Sequence, residues 1–228
     1  MSELIDTTEM YLRTIFELQE EGLQPLRARI AERLEQSGPT VSETVARMER
    51  DGLLHVGTDR TIALSDTGNR LATRVMRKHR LAECMLVEVI GLPWEDVHAE
   101  ACRWEHVMSE AVEQRVHALL GHPTISPFGN PIPGLAELDG TVVPETGQNI
   151  VPLSSLEFAD GTAQNVTVRR IDEPLQNDAP VLAGLARAGV RPGAVVNVTN
   201  SPLGVLVGSG GEYVELVPSL ALHVLVEP

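Results

Sequence analysis

The chain has 228 residues, 43% of them hydrophobic but only 3% aromatic, and a formal net charge of −14. That length points to two or three modules with aliphatic cores, and the absence of any apolar run of about 18 residues excludes a membrane-spanning helix. Two cysteines, Cys84 and Cys102, are too few for a disulfide framework, and the acidic, polar start MSELIDTTEM is unlike a secretory signal, so a cytoplasmic protein with reduced thiols is expected.

Asp6-Thr7-Thr8 followed by Glu9 predicts a capped helix start. Met10, Leu12, Ile15, Phe16 and Leu18 continue it at helical spacing to about Glu21, where Gly22 stops it. A second helix is expected over Pro25 to Leu34. After the Ser37-Gly38-Pro39 break, a third should bury Val41, Val45 and Met48 and end at Asp51-Gly52. Leu53 to Val56 and Thr61 to Leu64 read as a hairpin about a turn at 57–60. A long helix is predicted from Thr67 to Ile90, another from Pro93 through about Val107, and one capped by Ser109 that ends at Gly121. Residues 122–150, rich in proline and glycine, read as an extended, helix-free linker. Beyond 151, Val-rich runs at 165–171, 193–199, 203–207, 213–216 and 222–226 alternate with turns as in a small β-barrel, with one short helix at 181–188. Gly208-Ser209-Gly210-Gly211 precedes a strand and so reads as a hairpin turn.

Helix, short turn, helix and hairpin make the order of a winged helix-turn-helix. No bulk basic patch supports DNA binding: residues 1–75 hold nine basic against thirteen acidic side chains. The case rests on placement. The third helix should expose Thr40, Glu43, Thr44 and Arg47 to a major groove, and its amino end offers unpaired N–H groups to phosphate. Arg29 flanks the unit, and Arg60 sits at the hairpin tip. The expected DNA-facing set is Arg27, Ser37, Pro39, Thr40, Ser42, Glu43, Arg47, Arg50 and Arg60. A helical hairpin used for protein contact is the alternative.

The stretch from Val97 to His106 carries the chemistry. His98, Cys102, Glu105 and His106 recur at i, i+4, i+7 and i+8, on one face of the predicted helix. His79 and Glu83 share a face of the preceding one. Such groups are costly to bury without something to bind. The axial distance from His98 to His106, about 12 Å at ~1.5 Å per residue, is too long for one ion, so two sites are expected. The mixture of soft and hard ligands suits a divalent transition metal. Cys84 lies off this face and reads as packing, and His55, His117 and His122 lack partner spacing. Nothing distinguishes a catalyst.

DTTEMYLR at 6–13, LRARIAERLEQSGPTVSETVARMER at 26–50, MRKHRLA at 76–82, ACRWEHVM at 101–108 and SPFGNPIPG at 126–134 closely resemble the diphtheria toxin repressor and iron-dependent regulator family. The resemblance implies a mainly α fold with β structure. A winged helix-turn-helix DNA-binding domain (1–75) would be followed by a helical dimerisation and metal-binding domain (76–121), the Pro-rich linker (122–150) and an SH3-like barrel (151–228). It implies a primary metal site of Met10, Cys102, Glu105 and His106, and an ancillary site of His79, Glu83 and His98 completed by Glu173 and Gln176. In this chain Glu43 stands where members of the family carry Gln. The expected function is an iron-activated repressor of iron-homeostasis genes, a homodimer on palindromic double-stranded operator DNA. It would take two Fe(2+) ions per subunit, with Co, Ni, Mn or Zn as surrogates. A metal-dependent enzyme and a manganese-responsive regulator are the alternatives.

Overall fold

A computed structural model of the chain describes residues 7–141, 149–158 and 162–228. They fall into two units, the first drawn from 1–79 and 103–109 and the second from 80–102 and 110–228. Asp6, expected to cap the first helix, lies outside the described residues.

In the first unit, α1 (Thr7–Glu20) buries Tyr11, Leu12, Ile15 and Leu18, one stripe at helical spacing. The next helices are α2 (Arg27–Arg33) and α3 (Gly38–Arg50). Ser37 caps α3: its Oγ accepts the Thr40 N–H at 3.3 Å, and Pro39 occupies the first turn, where no donor is needed. Val41, Val45 and Met48 face inward as expected, but so does Thr44, which therefore leaves the expected groove-facing set. One turn below Thr40, it falls on the edge of the apolar stripe. Strands β1 (Leu54–Val56) and β2 (Ile62–Leu64) pair antiparallel, and the Ile62 N–H donates to the Pro25 carbonyl, tying the hairpin to the entry of α2. The core joins these elements through Ile30, Leu54, Ile62 and Ala72.

Helix α4 (Asp66–Met85) continues as a π-helical turn, Leu86–Ile90, and ends at Gly91 in the left-handed conformation. A 3-10 turn, Trp94–Asp96, leads into α5 (Val97–Trp104), followed by α6 (Glu110–Leu119). The predicted helix from Pro93 to Val107 is thus shorter at both ends, and Glu105 and His106 lie in the turn after it. They do not continue the face of His98 and Cys102 in the way the spacing suggested.

The stretch from 122 is not a free linker. Phe128, Ile132 and Leu135 are fully buried, the latter two in a core with Leu81, Cys84 and Val116. The Phe128 carbonyl accepts the Ile171 N–H at 2.8 Å, and Asn130 Nδ2 donates to the Ile171 carbonyl at 3.0 Å. A short helix, α7 (Ala136–Asp139), interrupts the expected helix-free run. Prolines break regular structure without preventing the apolar residues between them from packing. The remainder of the expected linker, 142–148, lies outside the described residues.

Six strands form one antiparallel sheet in the order β3-β8-β4-β5-β6-β7: β3 (Val151–Pro152), β4 (Gln164–Ile171), β5 (Val195–Ser201), β6 (Gly204–Gly208), β7 (Val214–Leu216) and β8 (Val224–Glu227). Alternating valines on β4 and β5 turn Val166, Val168, Val196 and Val198 inward. The short helices are α8 (Glu173–Gln176), α9 (Ala179–Arg187) and α10 (Pro218–Ala221). Only α9 was foreshadowed by its pattern.

Candidate metal centre and nucleic-acid interface

In the first unit, α1 aligns Glu9 and Arg13 one turn apart, with half-buried Met10 beside them. The turn after α5 brings Glu105 to this helix, and the middle of α4 supplies His79. Glu105 is 1% exposed. Its Oε2 lies 2.6 Å from His79 Nδ1, and its Oε1 lies 3.3 Å from His106 Nε2. Arg13 donates to both oxygens, at 3.1 and 3.0 Å. His106 Nδ1 donates to Glu9 Oε2 at 2.6 Å.

Electrostatics keep Glu105 ionised. Burial alone would raise its pKa, but the Arg13 charge, the His79 hydrogen bond and His106 outweigh burial and bring it down to about 2. His106 is pushed up, foremost by the hydrogen bond to Glu9, against the opposing effect of burial. With a carboxylate fixing Nδ1–H, the Nε2 lone pair of neutral His106 is aimed at Glu105. This is the arrangement in which an outer carboxylate orients a metal-ligating imidazole. The spacing of 3.3 Å between Nε2 and Oε1 suits two ligands of one ion with metal–ligand bonds of about 2.0–2.2 Å. Glu9 and Arg13 were not singled out by spacing as partners of the site. Their i, i+4 relation astride Met10 was the available signal.

In the second unit, His98 is fully buried on α5. Its Nδ1 lies 2.9 Å from Gln176 Oε1 and 3.5 Å from Glu83 Oε1, and its Nε2 lies 3.6 Å from Cys102 Sγ. The Gln176 amide is oriented by its own donation to the Ile171 carbonyl at 2.7 Å. Glu173, one turn earlier on α8, forms an ion pair with Arg80 at 2.6 Å. Burial would raise the Glu173 pKa, and the Arg80 charge and hydrogen bond more than reverse it. Arg80 also donates to the Pro131 carbonyl at 2.6 Å, so Glu173 is fastened to the buried 124–135 strap. The structure thus brings His98, Glu83 and Gln176 together, with Glu173 held by Arg80, a partner that spacing did not reveal.

Ser37, Pro39, Thr40, Ser42, Glu43, Arg47 and Arg50 are exposed along α3. Arg60 is exposed at the hairpin tip in the left-handed conformation (φ 69°). Asp59 shapes that tip by accepting the Thr61 N–H and hydroxyl at 3.0 and 2.9 Å, which lowers its pKa. Arg27 and Arg29 are half-buried, and Arg29 donates to the Gln24 carbonyl at 2.6 Å. Cys84 is buried in the second core and its thiol is pushed up by desolvation, in keeping with packing. His117 and His122, which lacked partner spacing, meet at Asp139.

Residues 3–62 match the family model of an iron dependent repressor N-terminal DNA binding domain. Residues 65–134 match the iron dependent repressor metal binding and dimerisation domain, and 153–228 the diphtheria toxin repressor SH3 domain. The chain is 58% identical over 230 residues to the iron-dependent repressor IdeR of Mycobacterium tuberculosis, covering 100% of this chain and 99% of that one. It is 49% identical over 227 residues to the diphtheria toxin repressor of Corynebacterium diphtheriae, with the same coverages. Among solved structures, T. acidophilum IdeR superposes with a TM-score of 0.74 at 29% identity, covering 97% of each chain. A manganese-dependent transcriptional repressor in complex with manganese gives 0.76 at 29% identity, covering 96% of this chain and 99% of the other.

Proposed function

Since the chain belongs to the iron-dependent repressor family, we propose that it is a ferrous-iron-activated repressor, not an enzyme, that binds palindromic operator DNA as a homodimer. Two iron sites per subunit are assigned. Met10, Cys102, Glu105 and His106 form the activating one, and His79, Glu83, His98, Glu173 and Gln176 form the second. The observation that carries this reading is the ionised, buried Glu105 facing an imidazole whose other nitrogen is held by Glu9. Sulfur from Met10 and Cys102 favours ferrous iron over manganese, which prefers oxygen.

The domains divide the work: 1–75 reads DNA, 76–121 dimerises and holds metal, and 151–228 is SH3-like. In this scheme Arg13 serves as the counter-charge of Glu105 until a divalent ion takes its place. Bound ferrous iron supplies a divalent positive charge and preferred ligand directions. Met10 and Arg13 are on the DNA-reading side, so the exchange of one cation for another at Glu105 biases the orientation of α1. Coupling of this kind amounts to about 1–3 kcal/mol. Ser37, Pro39, Thr40, Ser42, Glu43 and Arg47 would then enter the major groove, with Arg27, Arg50 and Arg60 on the backbone.

The test is a mobility-shift titration on promoters of iron-uptake genes under anaerobic conditions. Ferrous ion should raise operator affinity at least tenfold. Equal affinity with chelator and with ferrous ion overturns the proposal, and a response to manganese alone favours a manganese regulator.

A further inference from the structure

A third cluster of metal-competent side chains lies apart from the two assigned sites, within the second unit. His117 is in the last turn of α6, His122 follows the helix, and Asp139 ends α7. A ligand atom from each lies within 4.8 Å of the other two. Asp139 Oδ2 is 2.7 Å from His122 Nδ1 and 3.4 Å from His117 Nδ1, and the two rings meet edge-on at 4.7 Å.

The backbone is built to bring these groups together. Gly121 and His122 both take left-handed conformations (φ 74° and 62°), and the His122 N–H donates to the His117 carbonyl at 3.0 Å. This wraps the chain back over the end of α6. A left-handed φ is uncommon outside glycine, though histidine is among the residues that adopt it more readily, and here it turns the side chain to the cluster. Asp139 is held in place by the Thr141 N–H, which donates to its other oxygen at 2.9 Å.

His117 itself is incompletely satisfied. It is 2% exposed, and the nitrogen that faces the cluster, Nδ1, approaches Asp139 only at 3.4 Å, long for a hydrogen bond. Buried imidazoles ordinarily make good hydrogen bonds, and one that does not calls for a missing ion or water. The carboxyl end of α6 carries partial negative charge, which favours a cation there. His122 and Asp139 are open to solvent and provide an entry path.

The geometry points to a third, independent metal site, in which His117, His122 and Asp139 hold one divalent transition-metal ion of the zinc class and solvent completes its shell. Two imidazoles and one carboxylate suit such an ion better than calcium or magnesium, and three protein ligands leave a position for water. Ligand atoms on a tetrahedral ion of this kind sit about 3.3–3.5 Å apart. His117 and Asp139 already stand at 3.4 Å, and the exposed His122 ring needs only a small rotation away from Asp139. The ion would clip α7 to the end of α6, securing the strap between them.

Equilibrium dialysis of the full chain against zinc chloride tests the site. The variants are His122→Asn, since asparagine tolerates the left-handed turn, and Asp139→Asn. The parent should hold one more zinc ion per chain than either variant, whatever number the other sites take. The His122 ring resonances of the parent should also shift on zinc addition, a readout that does not depend on how the variants fold. Equal zinc counts in parent and both variants, or His122 resonances unmoved at saturating zinc, would overturn the assignment and leave a solvated His–Asp ion-pair cluster.

Discussion

Arg13 Nη1 is shared between the two oxygens of Glu105, at 3.1 and 3.0 Å, on a carboxylate that is 1% exposed. A buried charge cannot be left alone, so in the metal-free protein the arginine neutralises the group that is proposed to hold metal. Arg13→Met should make the metal-free protein less stable, by about 3 kcal/mol for a broken buried pair. It should also increase the stabilisation gained on adding a divalent ion, because no resident cation competes. Thermal melts with chelator and with cobalt would read both. If the metal-induced rise in Tm is smaller in the variant than in the parent, Arg13 is not a competitor.

Met10→Ala should depress metal-stimulated operator binding far more than fold stability. Met10 is only half-buried, so truncation loses little packing, while the proposed activating site loses its only ligand from α1. His79→Ala should give a smaller, partial defect in DNA binding, since it removes one ligand of the second site and only a hydrogen bond, 2.6 Å long, from Glu105 of the first. A metal titration of DNA binding under anaerobic conditions compares the two. The ranking of the sites is reversed if the Met10 variant responds normally and the His79 variant does not respond at all.

The pH dependence of the metal-free protein follows from two opposed shifts. Glu105 titrates at about 2 when folded against 4.5 as a free group, so its contribution is complete above pH 4.5 and disappears as pH falls towards 2. His106 is raised above 6.5, so its contribution is complete below pH 6.5 and disappears as pH rises through the raised value. These groups together give a maximum between pH 4.5 and 6.5, measurable by urea unfolding with chelator. Metal binding must release the His106 proton and that of the Cys102 thiol but none from Glu105, so affinity should increase with pH by about a hundredfold per unit while His106 is protonated and about tenfold per unit once it is neutral. His106→Gln should flatten that slope.

Gly129 has φ 85°, and a Cβ there would stand 2.0 Å from the Arg169 carbonyl oxygen. Gly129→Ala should cost at least about 2 kcal/mol, from a strained φ and a backbone clash that no side-chain rotation relieves. It should weaken the strap rather than the first unit. Hydrogen exchange would show this as faster exchange of the Ile171 amide, which donates to the Phe128 carbonyl. Unchanged protection at Ile171 would contradict the docked strap.

On the DNA side, Arg60→Ala and Thr40→Ala should weaken operator binding without changing metal binding. Loss of a phosphate contact at Arg60 should reduce the salt slope by about one. Glu43→Gln should tighten binding and shift base preference, since a carboxylate accepts from cytosine but repels phosphate. Fluorescence anisotropy across a salt series measures all three. Identical slopes for parent and Arg60→Ala would remove the wing from the interface.

The local pattern alone determined α1 to α4, α6 and α9, the hairpin and most strands, because apolar spacing, Ser37-Gly38-Pro39 and the stop glycines act within a few residues. It also made His79, Glu83, His98, Cys102, Glu105 and His106 conspicuous, since such groups are expensive at buried positions. The tertiary structure decided the pairings. Helix α5 ends at Trp104, so a turn, not a helical face, delivers Glu105 to Arg13 and His106 to Glu9. Thr44 turned inward because the apolar stripe of α3 is wider than its apolar residues. The proline-rich stretch packed because Phe128, Ile132 and Leu135 gain more from burial than the chain loses in freedom, a balance set by distant partners such as Ile171. His117 and His122 had no helical spacing to betray them. Two consecutive left-handed residues bring them together, and Asp139 joins them from a helix that composition had hidden.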